Sequence, residues 1–262
     1  MTSIKSRKSD LLHVVITGAS SGIGAACAEI FARSGHTLIL GARRLDRLET
    51  LASHLRSLGA ADVWVGELDV TKLASIEQFH RESQSRFGRV DVLINNAGLA
   101  AGLDPVATGS DEDWEAMINT NVLGLLKVSR AFLKDMIAAN HGHIFNMGSI
   151  AGFHTYAKGA AYAGSKHAVR AISGALRQEL TGTAIRISEI DPGLVETEFS
   201  LVRLGDQAKA DEVYRGMTPL TPADVAECVY FAATRPPHVN IDHIVLMPTD
   251  QSSISLVHRR PT

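Results

Sequence analysis

The chain has 262 residues, 45% of them hydrophobic and 21% charged, with a formal net charge of −2. That balance is ordinary for a globular protein in water and gives no electrostatic pull toward nucleic acid or an anionic membrane surface. No uninterrupted apolar run reaches the roughly 20 residues of a membrane span, and the polar, basic stretch 1–10 has no apolar signal core, so it reads as a frayed tail.

Residues 11–16 are short, β-branched and mostly apolar, as in a strand buried within a parallel sheet. Thr17-Gly18-Ala19-Ser20-Ser21-Gly22-Ile23-Gly24 follows at once, then a helical pattern over 25–33 that stops at Gly35. A strand, a glycine-rich turn and a helix make the setting in which a turn binds phosphate. Glycines let the backbone approach a pyrophosphate, and the helix N-terminus supplies free N–H groups. The same glycines can serve turn geometry alone, but spacing and context coincide here. A second strand, 37–42, ends in Arg43-Arg44. Dinucleotide-binding folds place an acid about twenty residues past the glycines for a ribose 2′-hydroxyl, or an arginine for a 2′-phosphate. This chain offers arginine and no acid before Asp46, which points to NADP rather than NAD. The plain alternative is a solvated arginine pair opening a helix over 44–58.

The alternation continues with a strand at 63–66, Leu68-Asp69-Val70, a helix over 72–86 and a strand at 90–94 that ends in Asn95-Asn96-Ala97-Gly98. A long helical pattern covers 111–139 with Asn121 inside it, where an asparagine is either exposed or marks a kink. His141 and His143 flank a glycine and read as solvated loop histidines. A strand at 143–147 ends in Gly148-Ser149, and a helix runs to about 180. A strand at 185–190 ends in Asp191-Pro192-Gly193. Residues 194–217 have weak periodicity, and a helix over 222–232 precedes a last strand at 243–247. Strands alternating with helices predict one α/β domain over 11–262, a Rossmann fold with a doubly wound parallel sheet of about seven strands. The two cysteines, Cys27 and Cys228, lie in helical patterns far apart and read as buried reduced thiols, in keeping with the cytoplasm. Neither has histidines at metal-ligand spacing, so no metal is expected.

The stretch Tyr162-Ala163-Gly164-Ser165-Lys166 carries the chemistry. Tyrosine and lysine four apart share a helix face. An ammonium nearby favours the phenolate, and a tyrosine so tuned can exchange a proton with a carbinol oxygen. Alone the spacing is weak. However, the glycine turn, Asn95, Ser149 and Pro192-Gly193 all fall at strand carboxyl ends, where such folds bind ligands.

With those residues in hand, the sequence resembles the short-chain dehydrogenase/reductase family over nearly its whole length. The carriers are Thr17 to Gly24, Asn95-Asn96-Ala97-Gly98, Asn121, Ser149, Tyr162 with Lys166, and Pro192-Gly193. The resemblance implies Tyr162 as general acid/base and Ser149 as hydrogen-bond partner of the substrate oxygen. It implies Lys166 on the nicotinamide ribose and Asn121 kinking its helix to hold a water in a proton relay. It implies a cofactor site made by Gly18, Ser20, Ser21, Gly22, Ile23, Gly24, Arg43, Arg44, Asp69, Val70, Asn95, Ala97, Gly98, Tyr162, Lys166, Pro192, Gly193, Val195 and Thr197. Asp69 and Asn95 would lie beside the adenosine half.

Asn140-His-Gly-His-Ile144, the run from Gly193 to Arg203, and Met247-Pro-Thr-Asp-Gln-Ser252 are similar to the branch of NADP-dependent 3-hydroxy acid dehydrogenases. That branch acts on serine, allo-threonine and malonic semialdehyde, and is usually tetrameric through helices near 111–139 and 159–180. Residues 194–217 would then be a flap over the substrate. A 3-hydroxy acid carries a carboxylate that a mostly apolar pocket must pair. Arg203 is the expected partner, with Arg215 second and a surface pair with Glu196 or Glu198 as the alternative. Two rival functions remain at this level: a reductase of bulkier aldehydes or ketones, and an NADPH-binding sensor or scaffold without turnover.

Overall fold

A computed structural model describes residues 11–261, so the expected tail at 1–10 lies outside the described residues. The chain folds as β1 (His13–Thr17), α1 (Gly22–Arg33), β2 (Thr37–Ala42), α2 (Leu45–Leu58), β3 (Asp62–Glu67), α3 (Leu73–Phe87) and β4 (Val92–Asn95). It continues with α4 (Asp111–Ile118), α5 (Leu125–Ala139), β5 (Gly142–Met147), α6 (Ala160–Glu179) and β6 (Ile185–Pro192), then α7 (Glu198–Leu204), α8 (Gln207–Tyr214), α9 (Pro222–Ala233) and β7 (His243–Leu246). The seven strands form one sheet in the order β3-β2-β1-β4-β5-β6-β7. Every pairing is parallel.

The inner strands show no polar alternation because both of their faces are covered. Val14, Ile16, Leu38, Leu40 and Ile94 pack with Phe31, Leu48 and Val229, which belong to α1, α2 and α9. The intervening residues Val15, Ile39, Leu93 and Ile144 pack with Ile76, Phe79, Phe132 and Leu176 of α3, α5 and α6. The chain leaves β1 toward β2 and β3, then returns to place β4 on the other side of β1. That reversal opens a crevice at the carboxyl ends of the strands.

Several sequence expectations are corrected. The helix expected over 111–139 is interrupted by a π-helical turn, Asn119–Gly124, between α4 and α5. Residues 194–217 hold two short helices, α7 and α8, and Val195 bridges Leu220. His143 is not a loop residue. It lies inside β5 at 1% exposure, with its Nε2 2.8 Å from the Ser188 hydroxyl. The flanking glycine suggested a turn, but a central strand buries both faces, and desolvation holds this imidazole well below its ordinary pKa. Cys27 is buried, and burial pushes its thiol up to about 12, whereas Cys228 is only half-buried.

Candidate active site

A cavity of about 560 Å³ lies at the carboxyl ends of the strands, lined by the glycine turn, the end of β2, residues 68–71, the segment after β4, Ser149, Tyr162, Lys166 and the segment 192–204. The glycine turn is shaped by close approach. Gly18 has φ +64°, and a Cβ on Gly24 would sit 2.5 Å from Asn96 Nδ2 and 2.6 Å from the Gly18 carbonyl. Asn96 fastens this turn, donating from Nδ2 to the carbonyls of Thr17 at 3.0 Å and Gly18 at 3.1 Å.

All the residues expected to hold the cofactor line the cavity except Gly24 and Asn95. Gly24 supports the turn from behind. Asn95 faces the other way: it is 4% exposed, and its Nδ2 donates to Ser129 Oγ at 2.8 Å and Asn146 Oδ1 at 3.0 Å. Side chains alternate along a strand, so at the end of β4 one of two adjacent asparagines must point into the α5 side and its neighbour toward the glycine turn. Sequence reasoning chose Asn95 for the ligand side, where the structure puts Asn96.

The residues present fit a phosphorylated dinucleotide. Arg43 is exposed at the cavity edge and makes no hydrogen bond or ion pair among the described residues. Arg44 donates to Ser20 Oγ and Ser21 Oγ at 3.0 and 2.8 Å, and meets Glu198 at 3.1 Å. Arg47 also reaches Glu198, at 2.8 Å. These cations hold the Glu198 carboxyl below its ordinary pKa. Glu198 was missed as a site residue, since nothing local in the sequence pairs it with α2. On the opposite wall, Asp69 accepts from Thr71 N and Oγ1 at 3.0 and 2.6 Å.

At the inner end, Ser149 follows β5, and Tyr162 and Lys166 project from the first turns of α6. Ser149 Oγ accepts from Ala151 N at 3.1 Å, capping the short 3-10 turn Ile150–Gly152. Lys166 is 7% exposed and donates from Nζ to the Met147 carbonyl at 2.8 Å, with Nζ 5.9 Å from the Tyr162 ring centroid. Burial lowers the Lys166 pKa to about 8, and Asp191 and Glu189 oppose that shift. Part of the Tyr162 surface faces the open cavity, yet the surrounding protein is dense enough that desolvation pushes its phenol up to about 12. The Ser149 hydroxyl and the Arg203 guanidinium pull it down, and Tyr156 pushes it up. Burial is thus the largest influence on the Tyr162 phenol, and the Arg203 guanidinium is a cation that lowers it.

Asn121 does not line the cavity. It is 2% exposed in the π turn, and its amide clamps Leu99 from both sides, with Leu99 N to Oδ1 at 2.9 Å and Nδ2 to the Leu99 carbonyl at 2.8 Å. Nδ2 also reaches Ser165 Oγ at 3.0 Å, so the turn is locked to α6 beside Tyr162. Arg203, on α7, donates from Nη2 to the Tyr156 hydroxyl at 2.9 Å and from Nε to the Gly102 carbonyl at 3.2 Å. Its guanidinium carbon stands 5.6 Å from the Tyr162 ring centroid. It meets no acid among the described residues, so the alternative pairing with Glu196 or Glu198 is not formed. Arg215 instead pairs with Glu212 at 2.6 Å on the surface. Phe199, on α7, packs edge-on against Tyr162 at 5.7 Å between ring centroids and lines the cavity.

The short chain dehydrogenase family pattern matches residues 12–205. The chain belongs to this family. Among relatives of this dehydrogenase, the NADP-dependent 3-hydroxy acid dehydrogenase YdfG of Escherichia coli K12 is 44% identical over 250 residues, covering 94% of this chain and 99% of the relative. The NADP-dependent 3-hydroxy acid dehydrogenase of Schizosaccharomyces pombe is 45% identical, covering 94% of this chain and 96% of its own. A solved serine dehydrogenase, in a closed form complexed with NADP+, superposes with a TM-score of 0.89 at 43% identity, covering 95% of this chain and all of the other.

Proposed function

We propose that this dehydrogenase oxidises a small 3-hydroxy acid such as serine, allo-threonine or 3-hydroxypropionate, and reduces the corresponding semialdehyde, with NADP(H) as redox partner. The observation that carries the reading is the Arg203 guanidinium, unpaired by any acid among the described residues, standing over Tyr162 in the same cavity. A neutral aldehyde or ketone would leave that charge without a partner, which disfavours the bulky-carbonyl reading. A sensor without turnover would need neither Ser149 nor the buried Lys166 beside the tyrosine.

Each residue then has a role. The glycine turn and Ser20, Ser21, Arg43 and Arg44 hold the phosphates, and Arg43 takes the 2′-phosphate through its fork of donors. Bound NADP supplies or accepts the hydride. Ser149 Oγ hydrogen-bonds the carbinol oxygen, and Tyr162 takes its proton in oxidation or returns it in reduction. Lys166 and Arg203 are the cations on this chain that favour the phenolate. Arg203 also pairs the substrate carboxylate, and Phe199 on the flap excludes water from the reacting carbon. The apolar side chains of Leu123, Leu126 and Ile137 on the α5 side, and of Val245 and Met247 at β7, are 38–52% exposed, which suits burial between subunits of a homotetramer. Two cysteines without a disulfide fit the cytoplasm. No helix of the described residues is long and apolar enough to cross a membrane.

The test is reduced-nicotinamide absorbance with NADP or NAD and a panel of 3-hydroxy acids, neutral alcohols and aldehydes. Turnover of serine or 3-hydroxypropionate with NADP, exceeding that of neutral alcohols of similar size, is expected. Preference for bulky neutral carbonyls, or cofactor binding without turnover on any substrate, would sink the reading.

A further inference from the structure

Behind Ser149 and Lys166 lies a second group of ionisable side chains that no step above uses. Glu189 and Asp191 are alternate residues of β6, so they share one face of the sheet, and both are 0% exposed. Asp191 Oδ1 accepts the backbone N–H of Ser149 at 3.0 Å, and Oδ2 lies 3.2 Å from His243 Nδ1. The fit is close: a Cβ on Gly148 would fall 2.9 Å from Glu189 Oε1 and would overlap the Asp191 carboxylate. Neither Glu189 carboxyl oxygen accepts a well-formed hydrogen bond from any other residue described: the Ser173 hydroxyl is near enough to lower the Glu189 pKa but donates to the Val169 carbonyl at 2.9 Å. A buried carboxylate with no donor is costly, whereas a carboxylic acid beside a carboxylate supplies its own bond.

We propose that Glu189 and Asp191 share one proton and act together as a positioning pair, fixing Ser149 through its backbone and furnishing the counter-charge that keeps Lys166 an ammonium. The charges around the pair fit a single negative charge. Lys166 and Arg170 on α6 both act on Asp191, and His243 approaches from β7. Asp242, just before β7, is turned away toward Arg177 and lies 3.9 Å from His243 Nε2. With two cations on α6 already facing it, the pair has charge balance without a metal, although ligand atoms of Glu189, Asp191 and His243 lie within 4.8 Å of one another. Burial raises both carboxyls above their ordinary pKa, as expected for two acids that cannot both ionise. Both acids in turn raise Lys166, opposing the desolvation that lowers it.

The inference rests on the assignment of Ser149, Tyr162 and Lys166 above, and the experiment separates the two. In the double variant Glu189→Gln with Asp191→Asn the counter-charge is gone, whereas either single amide leaves the other acid free to ionise, so in the double variant Lys166 should lose its proton at lower pH. The descending alkaline limb of kcat for carbonyl reduction should move about one pH unit or more toward acid. Exchanging the two acids, Glu189→Asp with Asp191→Glu, restores the charge and should return the limb to its wild-type position. An unshifted limb in the folded double amide, or a swapped pair that leaves the limb displaced, overturns the proposal, because a merely structural role would lower kcat without moving the profile. Should the double amide not fold, infrared spectra decide: the wild type near neutral pH should show the carbonyl band of a protonated buried carboxyl, absent from Glu189→Gln. No such band overturns it, as would saturable Mg²⁺ or Zn²⁺ binding that Glu189→Gln abolishes. Turnover that survives Tyr162→Phe would instead overturn the assignment beneath, while leaving the infrared result standing.

Discussion

Replacing Arg203 by methionine keeps an apolar stem of similar reach and removes the guanidinium. Two losses follow from the geometry, one shared by every substrate and one confined to charged ones. The contacts to the Tyr156 hydroxyl at 2.9 Å and the Gly102 carbonyl at 3.2 Å hold α7 against the rest of the cavity. Their net loss is roughly 1 kcal/mol, since both acceptors can turn to water, and it weighs equally on charged and neutral substrates. A charge-assisted bond to a substrate carboxylate is worth about 1.5–3 kcal/mol, and its loss weighs on 3-hydroxy acids alone. At 1.4 kcal/mol per tenfold, kcat/KM for serine or 3-hydroxypropionate should fall roughly ten- to a hundredfold further than for a neutral alcohol of similar size. Because Arg203 also pulls the Tyr162 pKa down, both substrates should show the rising limb of oxidation displaced to higher pH. Arg203→Lys should fall between, keeping the charge without the fork. Steady-state kinetics on the matched pair of substrates reads the ratio. Equal losses on both would mean that Arg203 holds the flap and not the substrate; no loss on either would remove it from the site.

Tyr162→Phe keeps the ring and removes the transferable proton, so kcat should fall at least about a hundredfold while NADPH binding, followed by fluorescence titration, survives. Near-normal turnover would remove Tyr162 from the chemistry. Arg43→Asp should shift the NADP/NAD ratio of kcat/KM by at least about tenfold toward NAD, and an unchanged ratio would say that Arg43 does not reach the 2′-phosphate. Asn121→Ala strips the clamp on Leu99 and leaves buried backbone groups unpaired, so it should cost roughly 2–4 kcal/mol and lower Tm by about 5–15 °C; a wild-type melting curve would refute that role. For Glu189, the folded pKa is raised above its unfolded value, so its contribution to stability is complete below about pH 4 and is lost as pH rises through the folded value. Glu189→Gln should therefore gain on the wild type by more than about 1 kcal/mol between about pH 5 and about pH 8 in urea unfolding, and parallel stability curves would contradict it.

How much of this could be read without coordinates depends on whether a residue's setting is local. The sheet was legible because seven short apolar runs alternate with helical patterns, and double-sided burial erases the polar alternation that would otherwise mark a strand. The glycine turn was legible because part of its constraint is local: Gly18 needs a positive φ and a Cβ on Gly24 would meet the Gly18 carbonyl, while the equally close Asn96 arrives from the far end of β4. Settings fixed by distant chain were harder. Whether Asn95 or Asn96 meets a ligand is decided by where β4 ends, a matter of one residue. A π turn at Asn119–Gly124 inserts no breaker into the sequence, and it exists because Asn121 finds Leu99 and Ser165 across the fold. Arg44 and Arg47 meet Glu198 only once the segment carrying α7 is folded against the start of α2.

Glu189 and Asp191 lie between these cases. Two acids at alternate positions, set among Ile185, Ile187 and Ile190 and followed by Pro192, already conflict with a strand buried on both faces. Such a conflict marks either a misread strand or a pair of acids held for a reason. The sheet settles which it is: the strand is real, and the face carrying the acids is the one against which Ser149 and Lys166 are set. What the sequence lacked was the neighbour, since Ser149 follows β5 and Lys166 belongs to α6. A buried charge in a central strand is thus a sign in the sequence that a site lies next to it, even where the identity of its partners waits on the fold.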